Sequence, residues 1–211
     1  MQSGPISFPI VAISFALISI TTDAIAAEAS QVPDYAAWKT VNKDGSWTAA
    51  AENAVQATTL TNLVPKDIQT FCPAYEGLDA VKRTRFWAGL LSAMAKPESG
   101  FKPETKYVEP DIVDANKEKV VSRGLLQISI ESANQRAYAC AIKNADDLHK
   151  VEVNLNCAAR IMRHWVAKDG LVAAANKPAV GGARYWSVLR GWRGHLGEIR
   201  GFTNSMEVCK P

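Results

Sequence analysis

One carboxylate in this sequence has neighbours that could give it chemistry. In the run Lys96-Pro97-Glu98-Ser99-Gly100-Phe101, an acid follows a long apolar stretch and is flanked by Phe101 and a turn-forming glycine. A carboxyl partly desolvated by apolar neighbours, and facing the negative end of a helix dipole, holds its proton to higher pH than a solvated glutamate. Such a group can act as a general acid. Alone, the run reads as a surface glutamate in a loop. A second run, Ser122-Arg123-Gly124-Leu125-Leu126-Gln127-Ile128-Ser129, follows, with Gly124 lying 26 positions after Glu98. Its glycine and amide, taken alone, are a turn residue and a surface side chain.

The elements around these runs must position them. Phe86, Leu90 and Met94 fall at i, i+4 and i+8, with Trp87 and Leu91 on the adjoining stripe, so Leu78 to Ala95 is predicted as a buried helix. Pro97 disfavours helical geometry at Lys96, which puts the helix end there and Glu98 just past it. From Phe101 to Val121 the chain carries Pro103, Pro110 and the acids Glu104, Glu109, Asp111, Asp114 and Glu118, a pattern of loop or short hairpin. Ser129 to Ala139 reads as a short helix. Val151 to Lys168 reads as a longer one, with Leu155, Met162 and Val166 at helical spacing and Asp169-Gly170 as its stop. A last helical stretch is expected from about Ala183 to Gly191, and an Ala-rich one upstream from Thr48 to Leu63. No period-two pattern persists outside the 101–121 stretch, so the class is mainly α.

The Glu98-Ser99 pair after an apolar helix, the Gly124-Leu125-Leu126-Gln127 run and Asn154-Leu155 opening another helix occur in an order that resembles the SLT-type lytic transglycosylases of the lysozyme-like superfamily. The resemblance spans roughly residues 70 to 190, the size of one such domain. It implies cleavage of peptidoglycan glycan strands between N-acetylmuramic acid and N-acetylglucosamine, with Glu98 as the single catalytic acid and then base, and 1,6-anhydromuramyl products. Ser99, Gly124, Gln127 and Tyr185 would be substrate-binding residues. Gly124 would let backbone approach a sugar ring, and Gln127 could offer donor and acceptor to ring substituents or to Glu98. Tyr185, in Ala183-Arg184-Tyr185-Trp186, looks like the tyrosine of the family's Ala-Tyr-Asn signature, whose phenol reaches towards the acid. The sequence departs from the pattern where Arg184 intervenes, where Trp186 replaces Asn, where Ala158 replaces a glycine, and where Ile161 stands near an expected tyrosine. Asn154 therefore reads as structural. The loop after Glu98 is longer than usual for the family and acid-rich, so Glu109 could supply a second carboxylate. The reaction would then be hydrolytic and similar to that of goose-type lysozymes. A non-catalytic peptidoglycan-binding protein is the reading from another class.

Composition sets the remaining bounds. With 211 residues, 47% hydrophobic and 21% charged, the chain can build an ordinary globular core. A formal charge of only +3 argues against a nucleic-acid partner. Residues 6 to 20, ISFPIVAISFALISI, are uncharged and precede Ala24-Ile25-Ala26, a small-x-small cleavage pattern. The expected plan is a signal peptide over 1–26, an N-terminal helical extension over 27–69 and a lysozyme-like single domain over 70–211, periplasmic or secreted, with no stable membrane span. An uncleaved anchor is the other reading. Four cysteines in an exported chain imply two disulfides. Three pairings are possible, and Cys140–Cys157 is favoured by its separation of 17, leaving Cys72–Cys209. His149, His164 and His195 lack ligand spacing, so no metal or cofactor is implied, and the glycines at 191, 194, 197 and 201 lack the context of a phosphate loop. Trp87 and Trp165 read as core, whereas Trp186 fits either core or an aromatic wall against a sugar.

Overall fold

The computed structural model describes Met1 and residues 35–211. The expected signal peptide, from residue 2 onwards, lies outside the described residues. Five α-helices and one two-stranded sheet are present among them: α1 (Ser46–Gln56), α2 (Ala80–Ser99), β1 (Lys106–Val113), β2 (Lys119–Arg123), α3 (Ile130–Ala133), α4 (Val151–Asp169) and α5 (Leu196–Ser205). Short 3-10 turns join them. None of the described helices is long and apolar enough to cross a membrane.

The core is built around α2. Asp79 caps its start by accepting from Lys82 N at 2.8 Å. The stripe predicted from Phe86, Trp87, Leu90, Leu91 and Met94 is wholly buried, and each such side chain contributes about 1.5–3 kcal/mol when removed from water. Tyr75, Phe86 and Trp87 meet edge to face, with Phe86 and Trp87 centroids 5.1 Å apart. Trp87 Nε1 donates to Tyr75 Oη at 2.7 Å, which in turn donates to Leu63 O at 3.1 Å. Helix α1 packs on α4 and α2, and α5 packs on α2. Trp38, Ala51, Val55 and Leu60 enter the same core.

Pro97 does not end α2. The helix runs on to Ser99 and stops at Gly100, whose φ of 62° is left-handed and whose N–H returns to Lys96 O at 2.9 Å. A proline so near a C-terminus removes only one late hydrogen bond, and its own φ is helical. Glycine then supplies the reversal. Glu98 therefore sits inside the last helical turn rather than beyond it.

The 101–121 stretch forms an antiparallel hairpin, pairing Lys106 with Arg123 and Tyr107 with Ser122, with an irregularity between Val108 and Val113. Pro110, which cannot donate to a ladder, lies in that irregular part. After β2 the chain turns sharply through Gly124–Gln127 and rejoins itself, Arg123 and Ile128 exchanging backbone bonds of 2.9 Å. The helix expected over 129–139 is only the four residues of α3, capped by Ser129 accepting from Ser132 N. The stretch expected as a final helix over 183–191 is instead a chain of 3-10 turns at Gly181–Arg184, Ser187–Leu189 and Gly191–Arg193. It is held against the 172–175 segment by Gly182 N to Val172 O and Gly191 N to Ala174 O, both 2.8 Å. The true last helix, α5, follows it. The disulfides join Cys140 to Cys157 and Cys72 to Cys209. One ties the region after α3 to α4, and the other fastens the C-terminus beside the start of the core.

Candidate active site

A cleft of about 830 Å³ brings together Glu98 from the end of α2, Glu109 from β1, Gln127 from the tight turn, Ser132 from α3, and Tyr185 with Arg190 from the 3-10 region. The hairpin supplies one wall. The nearly buried Trp186 also borders the cleft, and its indole N–H donates to Leu126 O at 2.9 Å. That bond and its 2% exposure make Trp186 a structural prop rather than an aromatic wall.

Glu98 is the electrostatic centre. Burial is the largest influence on its carboxyl, the charge of Glu109 adds to it, and Arg190 opposes both, so that the group is raised to about pKa 8 from an ordinary 4.5. A carboxylic acid that keeps its proton at neutral pH can donate it to a leaving group. Glu109 is held from behind by Ser122, whose hydroxyl donates to Oε1 at 2.8 Å. Ser122, which stands opposite Tyr107 on β2, thereby aims the second carboxylate.

Tyr185 places its hydroxyl 2.6 Å from Ser132 Oγ. Burial pushes the phenol's titration upward, and the charge of Glu98 pushes it in the same direction. Tyr185 is thus a neutral phenol within electrostatic range of Glu98, with its hydroxyl engaged by Ser132. The Gln127 backbone takes a positive φ of 45°. Its Nε2 donates to Gly124 O at 2.7 Å, and its Oε1 is buried without a hydrogen-bond partner.

Two of the sequence-derived residues lie elsewhere. Ser99 is buried behind Glu98, donating to Ala95 O at 3.1 Å, while its carbonyl accepts from Thr105 Oγ1 at 3.3 Å. It secures the root of the hairpin. Gly124 does not line the cleft. Its φ is +78°, and a Cβ there would collide with Leu148 O and Asn154 Nδ2. The glycine admits this close approach of Asn154. Asn154, buried, accepts from Leu126 N at 2.9 Å and donates to Arg123 O and Leu148 O at 3.0 Å each. This one side chain staples the 123–127 turn. Sequence reasoning passed over Ser122, Ser132, Arg190 and Arg193. Ser132 has a weak signal in the Ser129-x-x-Ser132 spacing of a helix cap, and the arginines stand among the glycines that lack the context of a phosphate loop.

A helical lysozyme-like domain with a proton-retaining glutamate at a helix end and a sheet-walled cleft is the architecture these residues define. Residues 78–176 match the Transglycosylase SLT domain. Among solved structures, the wild-type form 2 of Bd0314 DslA is 40% identical with a TM-score of 0.76, the match covering 83% of this chain and 97% of that one. Two Glu→Gln mutants of Bd0314 DslA are each 39% identical, with TM-scores of 0.77 and 0.76 and coverage of 83% and 86% of this chain and 97% and 99% of theirs. The two glutamates replaced in those mutants lie eleven positions apart in their own chain. No curated protein matches the chain. The chain belongs to the SLT transglycosylase family and has a peptidoglycan-acting domain of the lytic transglycosylase type.

Proposed function

We propose that the protein cleaves the β-1,4 bond between N-acetylmuramic acid and N-acetylglucosamine in peptidoglycan, in the periplasm or outside the cell, with Glu98 as the catalytic residue. The observation that carries this is the partly buried Glu98 carboxyl, held protonated at neutral pH on the wall of an open cleft. Glu98 donates its proton to the glycosidic oxygen as the bond to the muramyl anomeric carbon breaks. The resulting carboxylate takes the proton of the muramyl 6-hydroxyl, whose oxygen closes on that carbon to give the 1,6-anhydro sugar, and Glu98 is again protonated. Its raised pKa favours both halves, since the group is a retained acid before the step and a strong base after it. Gln127 and Tyr185 border the bound sugars.

A second reading is favoured by Glu109. This carboxylate borders the same cleft, acts electrostatically on Glu98, and is aimed by Ser122. The eleven positions from Glu98 to Glu109 equal the spacing of the two glutamates replaced in the Bd0314 DslA mutants. With Glu109 activating a water, the product is a reducing muramyl end, as in glycosidases with two carboxylates. Digestion of purified sacculi followed by mass spectrometry of the muropeptides separates the two, because anhydro products are lighter by one water. Expected are anhydro ends that vanish in Glu98→Gln; reducing ends that vanish in Glu109→Gln would install the hydrolytic route. An inactive parent that still sediments with sacculi would instead make this a binding protein.

A further inference from the structure

The cleft holds more charge than bond cleavage requires, and of both signs. Glu109, Asp111 and Asp114 come from the hairpin segment, whereas Arg190 and Arg193 come from the 3-10 region. The acids are partly served by the protein: Glu109 accepts from Ser122 Oγ, and Asp114 accepts backbone N–H groups of Asn116 and Glu118 at 2.8 Å. The arginines differ. Arg190 Nε donates to Ala183 O at 2.9 Å, which fixes the plane of the guanidinium, while its two terminal nitrogens have no hydrogen-bond partner among the described residues. Neither Arg190 nor Arg193 forms an ion pair with a described carboxylate. Their backbone is also rigidly seated. Ala174 N donates to Leu189 O at 3.2 Å, Arg193 N to Arg190 O at 2.9 Å, and any side chain at Gly191 would collide with Ala175 O.

A guanidinium oriented by one bond and left with its forked donors free is prepared for a planar oxyanion. A charged donor held in place before binding, as Arg190 is by Ala183 O, loses little side-chain entropy when the partner arrives, and Arg193 adds a second positive charge to the same cleft. Within a glycan strand of the kind proposed above, on which reading this inference rests, only the muramyl residues carry carboxylates. Each bears either a free lactyl carboxylate or a peptide stem with carboxylates of its own.

We infer that Arg190 and Arg193 form a carboxylate subsite that selects muramyl-containing strands over uncharged N-acetylglucosamine polymers with the same β-1,4 linkage. The subsite sets the register of the strand, because a muramyl group docked there leaves the adjoining bond at Glu98. It takes either source of carboxylate, and the two are separable by experiment.

The test is calorimetric binding in the Glu98→Gln background, with three glycans of equal length: a chitooligosaccharide, a peptidoglycan strand stripped of stems, and a stem-bearing strand. Expected is binding of at least one carboxylate-bearing strand about tenfold or more tighter than the chitooligosaccharide, the advantage shrinking with added salt. A gain on the stripped strand assigns the lactyl carboxylate, and a gain confined to the stem-bearing strand assigns the stem. Arg193→Ala is expected to remove most of that advantage while leaving chitooligosaccharide binding unchanged, and Arg190→Lys to weaken it by losing the fork. Equal affinity for all three glycans, or an equal loss on all three in Arg193→Ala, overturns the subsite. A parent that digests sacculi yet shows no charge preference removes the subsite and leaves the cleavage proposal standing. The converse, preference without digestion, keeps the subsite and removes cleavage.

Discussion

Replacing Glu98 by Gln should abolish cleavage and at the same time make the protein more stable at neutral pH. Glutamine has the shape of a protonated glutamate and cannot ionise. In the folded protein the Glu98 carboxyl is raised to about 8 from an ordinary 4.5, by burial first and by the charge of Glu109 second. The sign follows from proton binding. A folded-state pKa above the unfolded one means that the fold holds the proton more tightly, so this group's favourable share is complete below about pH 4.5 and is lost progressively as pH rises towards about 8. Each pH step between those limits costs about 1.4 kcal/mol. From 4.5 to 7 the sum is about 3 kcal/mol, and allowing for the side of the group open to the cleft leaves about 2 kcal/mol. The Gln variant escapes that loss. For a domain of this size the gain corresponds to a rise in Tm of about 4–8 °C at pH 7, shrinking to nothing near pH 4. Differential scanning calorimetry of parent and variant across pH 4 to 8 measures it. Tm curves that stay parallel over that range would show that Glu98 does not retain its proton, and the acid role would go with it.

The same coupling predicts the pH–rate profile. Activity on peptidoglycan, followed by chromatography of soluble muropeptides, should hold until near pH 8 and fall above it as Glu98 ionises. Because the charge of Glu109 raises Glu98 and Arg190 lowers it, Glu109→Gln should move whatever falling limb remains to lower pH, and Arg190→Gln should move it to higher pH. The staple at the 123–127 turn should be costly to remove: Asn154→Leu strands Leu126 N–H and the carbonyls of Arg123 and Leu148, a loss of about 2–4 kcal/mol in urea unfolding. Gly124→Ala should approach the same loss, since both its φ and its surroundings exclude a Cβ. Reduction of the disulfides should lower stability by about 3 kcal/mol for the loop closed by Cys140–Cys157, and by nearly 5 kcal/mol for that closed by Cys72–Cys209. Tm with and without reductant, using single Cys→Ser pairs, apportions the two.

Where the sequence carries a period, it was legible. The face of Phe86, Leu90 and Met94, and the longer run from Val151, gave helices within a residue or two of α4 and close to α2. The short separation of Cys140 and Cys157 gave the pairing. What escaped has no period to read. Three 3-10 turns stand where one helix was expected, because Gly182 and Gly191 dock their backbone on the 172–175 segment, a contact between distant stretches. Helix α5 was hidden by Gly197 and Gly201, which look like breakers; its burial through Leu196, Ile199 and Thr203, and the disulfide just beyond it, sustain the helix instead.

The site divides along the same line. Glu98 was legible because its neighbours already imply desolvation, yet the helix runs on through Pro97 to Ser99 and so keeps Glu98 in its last turn. The negative end of a helix dipole acts on a charge there in the same direction as burial. Glu109 was legible only as an acid in a long loop. Its effect on Glu98 depends on the hairpin register that sets Tyr107 opposite Ser122, and on Ser122 reaching across to the carboxylate. Ser132 takes its meaning from Tyr185, 53 residues on, and Arg190 from the carbonyl of Ala183, 7 residues back. The proton on Glu98 is therefore a property of the assembled cleft. Loosening the Asn154 staple should reach the chemistry by letting water to the carboxyl and drawing its pKa back towards 4.5. An Asn154→Ser variant that remains folded but loses activity at a lower pH than the parent would display that dependence, and one with an unmoved profile would place the desolvation of Glu98 in α2 alone.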